Sequence, residues 1–172
     1  VITIGSNRSR DNLISSPETL KLKKIGLVQS NRGGDITFHG PGQLVGYPII
    51  NLNLFSKDIS LYVWRLEQIL IDTLKYYCLP AYRIPGQRGV YVDRQKIASL
   101  GIKVKRWVTM HGFALNVNTD LDYFNHIVAC GLSQNPPVSM QKLLDQTILL
   151  APVKEQITAQ FEHQFKTEAV WA

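Results

Sequence analysis

At 172 residues the chain is long enough for one compact domain with a substantial core. Apolar residues make up 45% and charged residues 19%, which excludes a disordered chain, and no apolar run approaches the ~18 residues that span a bilayer. A formal charge of +6 and an isoelectric point near 9.4 imply attraction to something acidic, without choosing between nucleic acid and an acidic protein.

The opening VITIG alternates as a strand, and a start at Val1 without a basic leader or signal core reads as a strand entered partway. Ser16, Pro17 and Glu18 mark a helix start, with Ser as cap and Pro in the first turn, and that helix should end near Gly26. Leu27 to Ser30 reads as a short strand. Ile36–His39 and Gln43–Ile50 read as strands separated by GPG, a turn signal. The stretch ISLYVWRLEQILIDTLKYYCL carries the longest helical signal, with Leu61, Leu66, Ile69, Leu70, Leu74 and Tyr77 as its core stripe and Asp58 or Ser60 as cap. LPAYRIPGQRG is loop-like. GVYV, the turn DRQ and KIASLGIKVKRW form a hairpin, followed by the strand HGFALNVN. Leu121–Ile127 is a short helix candidate, CGLSQNPPV a loop, and Val153, Ile157, Phe161 and Phe165 mark a closing amphipathic helix. Successive strands joined by short turns favour a mixed, largely antiparallel sheet flanked by helices, an α+β arrangement within α/β proteins, in a single domain over residues 1–172.

Chemistry concentrates in three places. RGGDITFHGPGQLVGYPII has more backbone freedom than a connection needs, yet matches neither GxxxxGK[ST] nor GxGxxG. Gly33 and Gly34 let backbone come close to a ligand; the plainer alternative is a glycine hairpin at a sheet edge. Cys130 ends an apolar run at the start of a proline-rich loop, where a substrate can reach it, although a free cysteine is most often a small buried hydrophobe. Cys78, on the apolar helix, takes that buried reading, and both thiols are expected to be free in a reducing compartment. Lys96 enters an apolar segment after a turn. Such a lysine either snorkels to solvent or, beside a thiol, raises its thiolate fraction and shuttles protons. His39 and His111 each precede a glycine and allow a Cys/His pairing on paper. No Cys/His spacing suggests a metal site.

Together these segments resemble the lipoyl(octanoyl) transferases. RGG, a Thr-aromatic-His triplet and GPGQ occur in that order in RGGDITFHGPGQ; KIASLG resembles the family's catalytic-lysine segment, HGFALNV follows it, and IVACG resembles the catalytic-cysteine segment. Ala129 stands where the family usually has proline. The resemblance implies the fold of the biotin and lipoate protein ligases, in one catalytic domain lacking an N-terminal helix and strand. It implies transfer of an octanoyl group from acyl carrier protein to a lysine of lipoyl domains, those of 2-oxo acid dehydrogenases and of the glycine cleavage H protein. Cys130 would be the nucleophile and Lys96 its proton relay. Arg32, Gly33, Gly34, Asp35, Ile36, Thr37, Phe38 and His39 would line the acyl site with Ser99, Leu100, Gly101, Gly112, Phe113 and Ala114. The expectation is a cytoplasmic enzyme without cofactor or metal and with neither nucleic acid nor membrane as partner. The rival readings are an ATP-dependent lipoate or biotin ligase of the same fold and a non-catalytic basic binding module.

Overall fold

The computed structural model describes residues 1–6, 10–128 and 135–171. Two sheets organise it. A small one has the order β2–β1–β3, with β1 (Ile2–Ile4) parallel to β2 (Leu27–Gln29) and antiparallel to β3 (Ile36–Phe38). The larger is antiparallel throughout: β4 (Gln43–Gly46), β8 (Val108–Asn116), β7 (Gln95–Lys105), β6 (Gln87–Val92) and β5 (Tyr82–Ile84), in that spatial order. The GPG turn therefore does not close a hairpin. It carries the chain from one sheet to the other, because β3 pairs with β1 and β4 with β8.

The helix α2 (Ile59–Tyr76) lies on one face of the large sheet beside α4 (Leu150–Phe165), and its Leu66, Ile69, Leu70 and Leu74 join Val90, Val92, Ile97 and Leu115 in the main core. Leu61, expected in that stripe, is only partly buried; Tyr62 and Val63 take its place. Two short helices, α1 (Pro17–Leu22) and α3 (Met140–Leu144), and two 3-10 turns, Leu52–Leu54 and Leu121–His126, are the remaining elements among the described residues. The segment read as a loop at 79–89 is instead the β5–β6 hairpin, and α1 stops at Leu22, short of Gly26. A second, smaller core under the small sheet holds Ile2, Ile4, Ile36, Phe38 and Phe124. Cys78 is exposed, not buried: it sits just past the end of α2 with a left-handed φ of +58°, and Leu79 after it takes the core position. No helix among the described residues is long and apolar enough to cross a membrane.

Asp58 caps α2, its Oδ1 accepting from the Leu61 N–H at 2.9 Å. Asp58→Ala is expected to cost about 1 kcal/mol, lowering Tm by about 2–4 °C with activity unchanged, as thermal melts and turnover assays of the folded chain would show.

Candidate active site

The glycine-rich segment crosses the face of the large sheet opposite the helices. The Gly33 N–H donates to the Ile102 carbonyl at 2.8 Å, and a Cβ on Gly33 would stand 2.8 Å from that same oxygen. A Cβ on Gly101 would meet the Gly33 carbonyl, also at 2.8 Å, so two side-chain-free residues let loop and strand touch. Arg32 is buried and fastens the loop to β1: Nη2 donates to the Thr3 carbonyl at 2.6 Å, Nε to Thr3 Oγ1 at 3.1 Å and Nη1 to the Gly33 carbonyl at 3.0 Å.

Between loop and sheet lies a pocket. Arg32, Gly34, Asp35, Thr37 and His39 line one side and Ser99, Leu100, Gly101, Gly112, Phe113 and Ala114 the other. Val45, Tyr47 and His111 also line it. Period-2 alternation sends Thr37 to the pocket and its neighbours Ile36 and Phe38 into the small core. Gly33 lies against Ile102 and does not line the pocket.

Two histidines, His39 and His111, line the pocket. Gln43 Nε2 donates to the Phe38 carbonyl and to Asn116 Oδ1, at 3.2 and 3.0 Å, which leaves Gln43 Oε1 to accept from His39 Nδ1–H at 2.8 Å. Asn116 is oriented in turn, its Nδ2 donating to the Val138 carbonyl at 3.1 Å. His39 thus keeps its lone pair on Nε2. Burial chiefly holds its pKa below the ordinary value, against the Gln43 bond, and Arg32 and the chain's amino terminus push the same way as burial. His111 has φ +58°, sparsely populated for a side-chain-bearing residue. Its partner Ile102 packs on the core, yet the His111 ring faces the pocket, Nε2 2.6 Å from Asn31 Oδ1 and edge-on to Tyr47. Its pKa is lowered by burial first, then by Arg32 and Lys103.

Lys96 lies on β7, three residues before Ser99. The β6–β7 register slips between Val90 and Tyr91: Val90 faces Ala98 while Tyr91 faces Lys96, which leaves Ile97 as the extra residue. Ile97 and Ala98 both enter the core, and the slip returns Lys96 to the sheet face that carries Tyr91, Ser99 and Gly101. The lysine is 8% exposed, with Nζ 5.6 Å from the Tyr91 ring centroid. No carboxylate lies within ion-pair reach of it among the described residues. Its backbone holds residues 136–138, Lys96 N–H donating to the Pro136 carbonyl at 2.8 Å and Val138 N–H to the Lys96 carbonyl at 3.0 Å. Asn135 Nδ2 adds a bond to the Arg94 carbonyl at 2.8 Å. Cys130 lies outside the described residues.

The family model described as lipoyl protein ligase A/B catalytic domain matches residues 1–162. An octanoyltransferase of Solibacter usitatus is 48% identical over 168 residues, spanning 98% of this chain and 76% of that protein. One from Koribacter versatilis is 44% identical, over 99% of this chain and 70% of that protein. The chain belongs to the lipoyl(octanoyl) transferase family. A solved lipoate-protein ligase A, bound with ATP, superposes with a TM-score of 0.78 at 14% identity, covering 99% of this chain and 71% of that one. The biotin protein ligase of Aquifex aeolicus gives 0.60 at 14% identity, over 95% and 68%. At that identity these structures speak for the fold alone.

Of the residues that the transferase resemblance singles out, eleven of the fourteen site positions line one pocket: Arg32, Gly34, Asp35, Thr37, His39, Ser99, Leu100, Gly101, Gly112, Phe113 and Ala114. Gly33, Ile36 and Phe38 do not. Sequence reasoning passed over Val45 on β4 and Tyr47 just beyond its end, which alternate onto the pocket face, and did not place His111 there. The signal available was the period-2 spacing of Val45 and Tyr47, the first of them opposite Ala114.

Proposed function

We propose that the chain takes an octanoyl group from an acyl carrier protein onto Cys130 as a thioester and passes it to a lysine on a lipoyl domain, with Lys96 relaying protons. The recipients in this reading are the lipoyl domains of 2-oxo acid dehydrogenases and the glycine cleavage H protein. The observation that supports it most is Lys96: a buried amine with no carboxylate partner among the described residues, on the sheet face that lines the pocket, whose backbone holds Pro136, six residues after Cys130.

The chemistry balances in two steps. The Cys130 thiolate attacks the thioester carbonyl, the carrier's C–S bond breaks, and the leaving thiolate takes a proton from the Lys96 ammonium. The neutral Lys96 amine then accepts the proton shed by the acceptor lysine as its nitrogen attacks the acyl-enzyme. An amide forms and the Cys130 thiolate is released. An ordinary cysteine, with a pKa near 8.5, is only a few per cent thiolate at pH 7, and a nearby cation raises that fraction. Exchange of one thioester for another needs no ATP, and the covalent intermediate spares two bulky proteins from binding together. The pocket supplies apolar wall for the chain from Val45, Leu100, Phe113 and Ala114.

Intact-mass spectrometry after mixing with octanoyl-acyl carrier protein tests this reading, with Cys130→Ser as control. The expected result is a gain of one octanoyl group that hydroxylamine removes and that the control lacks. A folded protein that binds the carrier and gains nothing would overturn the covalent route and favour the ATP-dependent ligase or the basic binding module.

A further inference from the structure

One buried charge has no part in the transfer chemistry. Glu67 sits at 4% exposure on α2, facing the β5–β6 hairpin. A buried carboxylate in an apolar core is costly unless every oxygen is held. Both are: Oε2 accepts from Arg83 Nε at 3.1 Å, and Oε1 accepts from the Gly89 N–H at 3.1 Å. Arg83 is itself fixed, Nη2 donating to the Trp64 carbonyl at 2.7 Å, Nη1 to Gln68 Oε1 at 3.0 Å, with its guanidinium 4.6 Å from the Trp64 ring centroid.

The residue that Glu67 holds is the one that makes room for Lys96. Gly89 has φ +126°, and a Cβ there would stand 2.6 Å from Lys96 Cε, 2.7 Å from the Ala98 carbonyl and 3.3 Å from Lys96 Nζ. The lysine's end therefore lies in the space above Gly89, and the height of that floor is set by the bond from the Gly89 N–H to Glu67. Arg83 neutralises the carboxylate, so the pair holds the backbone without presenting net charge to the amine.

We infer that Glu67 is a positioning residue for Lys96, with Arg83 as its support: the pair fixes the Gly89 backbone and so fixes where the ammonium sits. The inference rests on Lys96 being the proton relay of the proposed transfer. Three variants test it by steady-state turnover of octanoyl-carrier protein. Glu67→Leu, close in volume and unable to accept, is expected to lower kcat about 10- to 100-fold with KM for the donor within about twofold of the parent. Glu67→Gln, whose amide oxygen still accepts from Gly89, is expected to recover kcat to within about fivefold. Arg83→Gln, at a half-exposed position, is expected to lower kcat about 3- to 10-fold with KM again unmoved, and it carries the test if Glu67→Leu does not fold. A Glu67→Leu or Arg83→Gln chain that melts earlier yet turns over with parental kcat would overturn the inference, leaving the pair a structural staple. So would a Gln variant no better than Leu. Lys96→Met separates the two levels: if it transfers at the parental rate the relay reading fails, whereas an inactive Lys96→Met beside a fully active Glu67→Leu removes only the positioning role.

Discussion

A Lys96→Met chain is expected to fold as the parent does and to acylate Cys130 about 10²- to 10⁴-fold more slowly, the range that one positioned proton-transfer group contributes. Methionine keeps the apolar stem against Tyr91 and Gly89 and removes only the amine. Since no carboxylate among the described residues pairs with that buried amine, its loss breaks no ion pair there, and Tm should stay or rise. Rapid-quench acylation with octanoyl-carrier protein, beside a thermal melt, separates lost chemistry from lost fold. Lys96→Arg sharpens the result. Arginine keeps a positive charge that can stabilise a thiolate, but it does not give up a proton at working pH. It is also bulkier than the space over Gly89, where Lys96 Cε already occupies the place of a Cβ. Arginine restoring the rate would mean that charge alone suffices, and methionine retaining it would remove Lys96 from the mechanism.

What the sequence reveals of this molecule follows from how local each signal is. The helix Ile59–Tyr76 is legible because its cap and its 3.6-residue stripe lie within one segment. The β6–β7–β8 meander is legible because its turns are short and its strands alternate. The GPG turn is legible as a turn between two strands, but a turn signal records that the chain bends and not which strand it joins next; here β3 and β4 enter different sheets. The β5–β6 hairpin hides behind Pro85 and Gly86, residues as common in loops as in tight turns. The site divides the same way. Motif residues on the loop and on β7 and β8 are found by pattern, whereas Ile36 and Phe38 fall within the motif yet face the small core, because alternation sends every second residue of β3 away from the pocket. His111 points to the pocket only through its left-handed backbone, which no spacing rule announces. Glu67 is least legible of all: on a helix read for its apolar stripe, a carboxylate looks like a solvated position, and only the packed hairpin shows what it holds.

Gly89→Ala and Gly86→Ala make a matched pair, since both glycines have positive φ on the same hairpin and only one has neighbours. Gly86, at φ +78° in the turn, has nothing within 4 Å of an added Cβ. Alanine there meets backbone strain alone, about 1 kcal/mol at the low end of the usual range, and a Tm lower by about 2–4 °C with transfer unchanged. At Gly89 the same strain applies at φ +126°, and the methyl also meets the Ala98 carbonyl at 2.7 Å and Lys96 Cε at 2.6 Å. The lysine end can move aside; the carbonyl belongs to β7, where Ala98 is paired with both Val90 and Leu115, and cannot move without disturbing two neighbouring strands. Adding about 1–3 kcal/mol for an intruding methyl to about 1–3 kcal/mol of strain gives a loss of about 2–6 kcal/mol, or about 4–24 °C in Tm. Activity should fall further than stability, because the relief available to the structure is to push the Lys96 amine off its seat. Measured below the melting range, where both variants are fully folded, Gly89→Ala is expected to lose at least about tenfold in acylation rate while Gly86→Ala loses none. A Gly89→Ala chain that melts early but acylates at the parental rate would mean that the amine finds its working position without that floor.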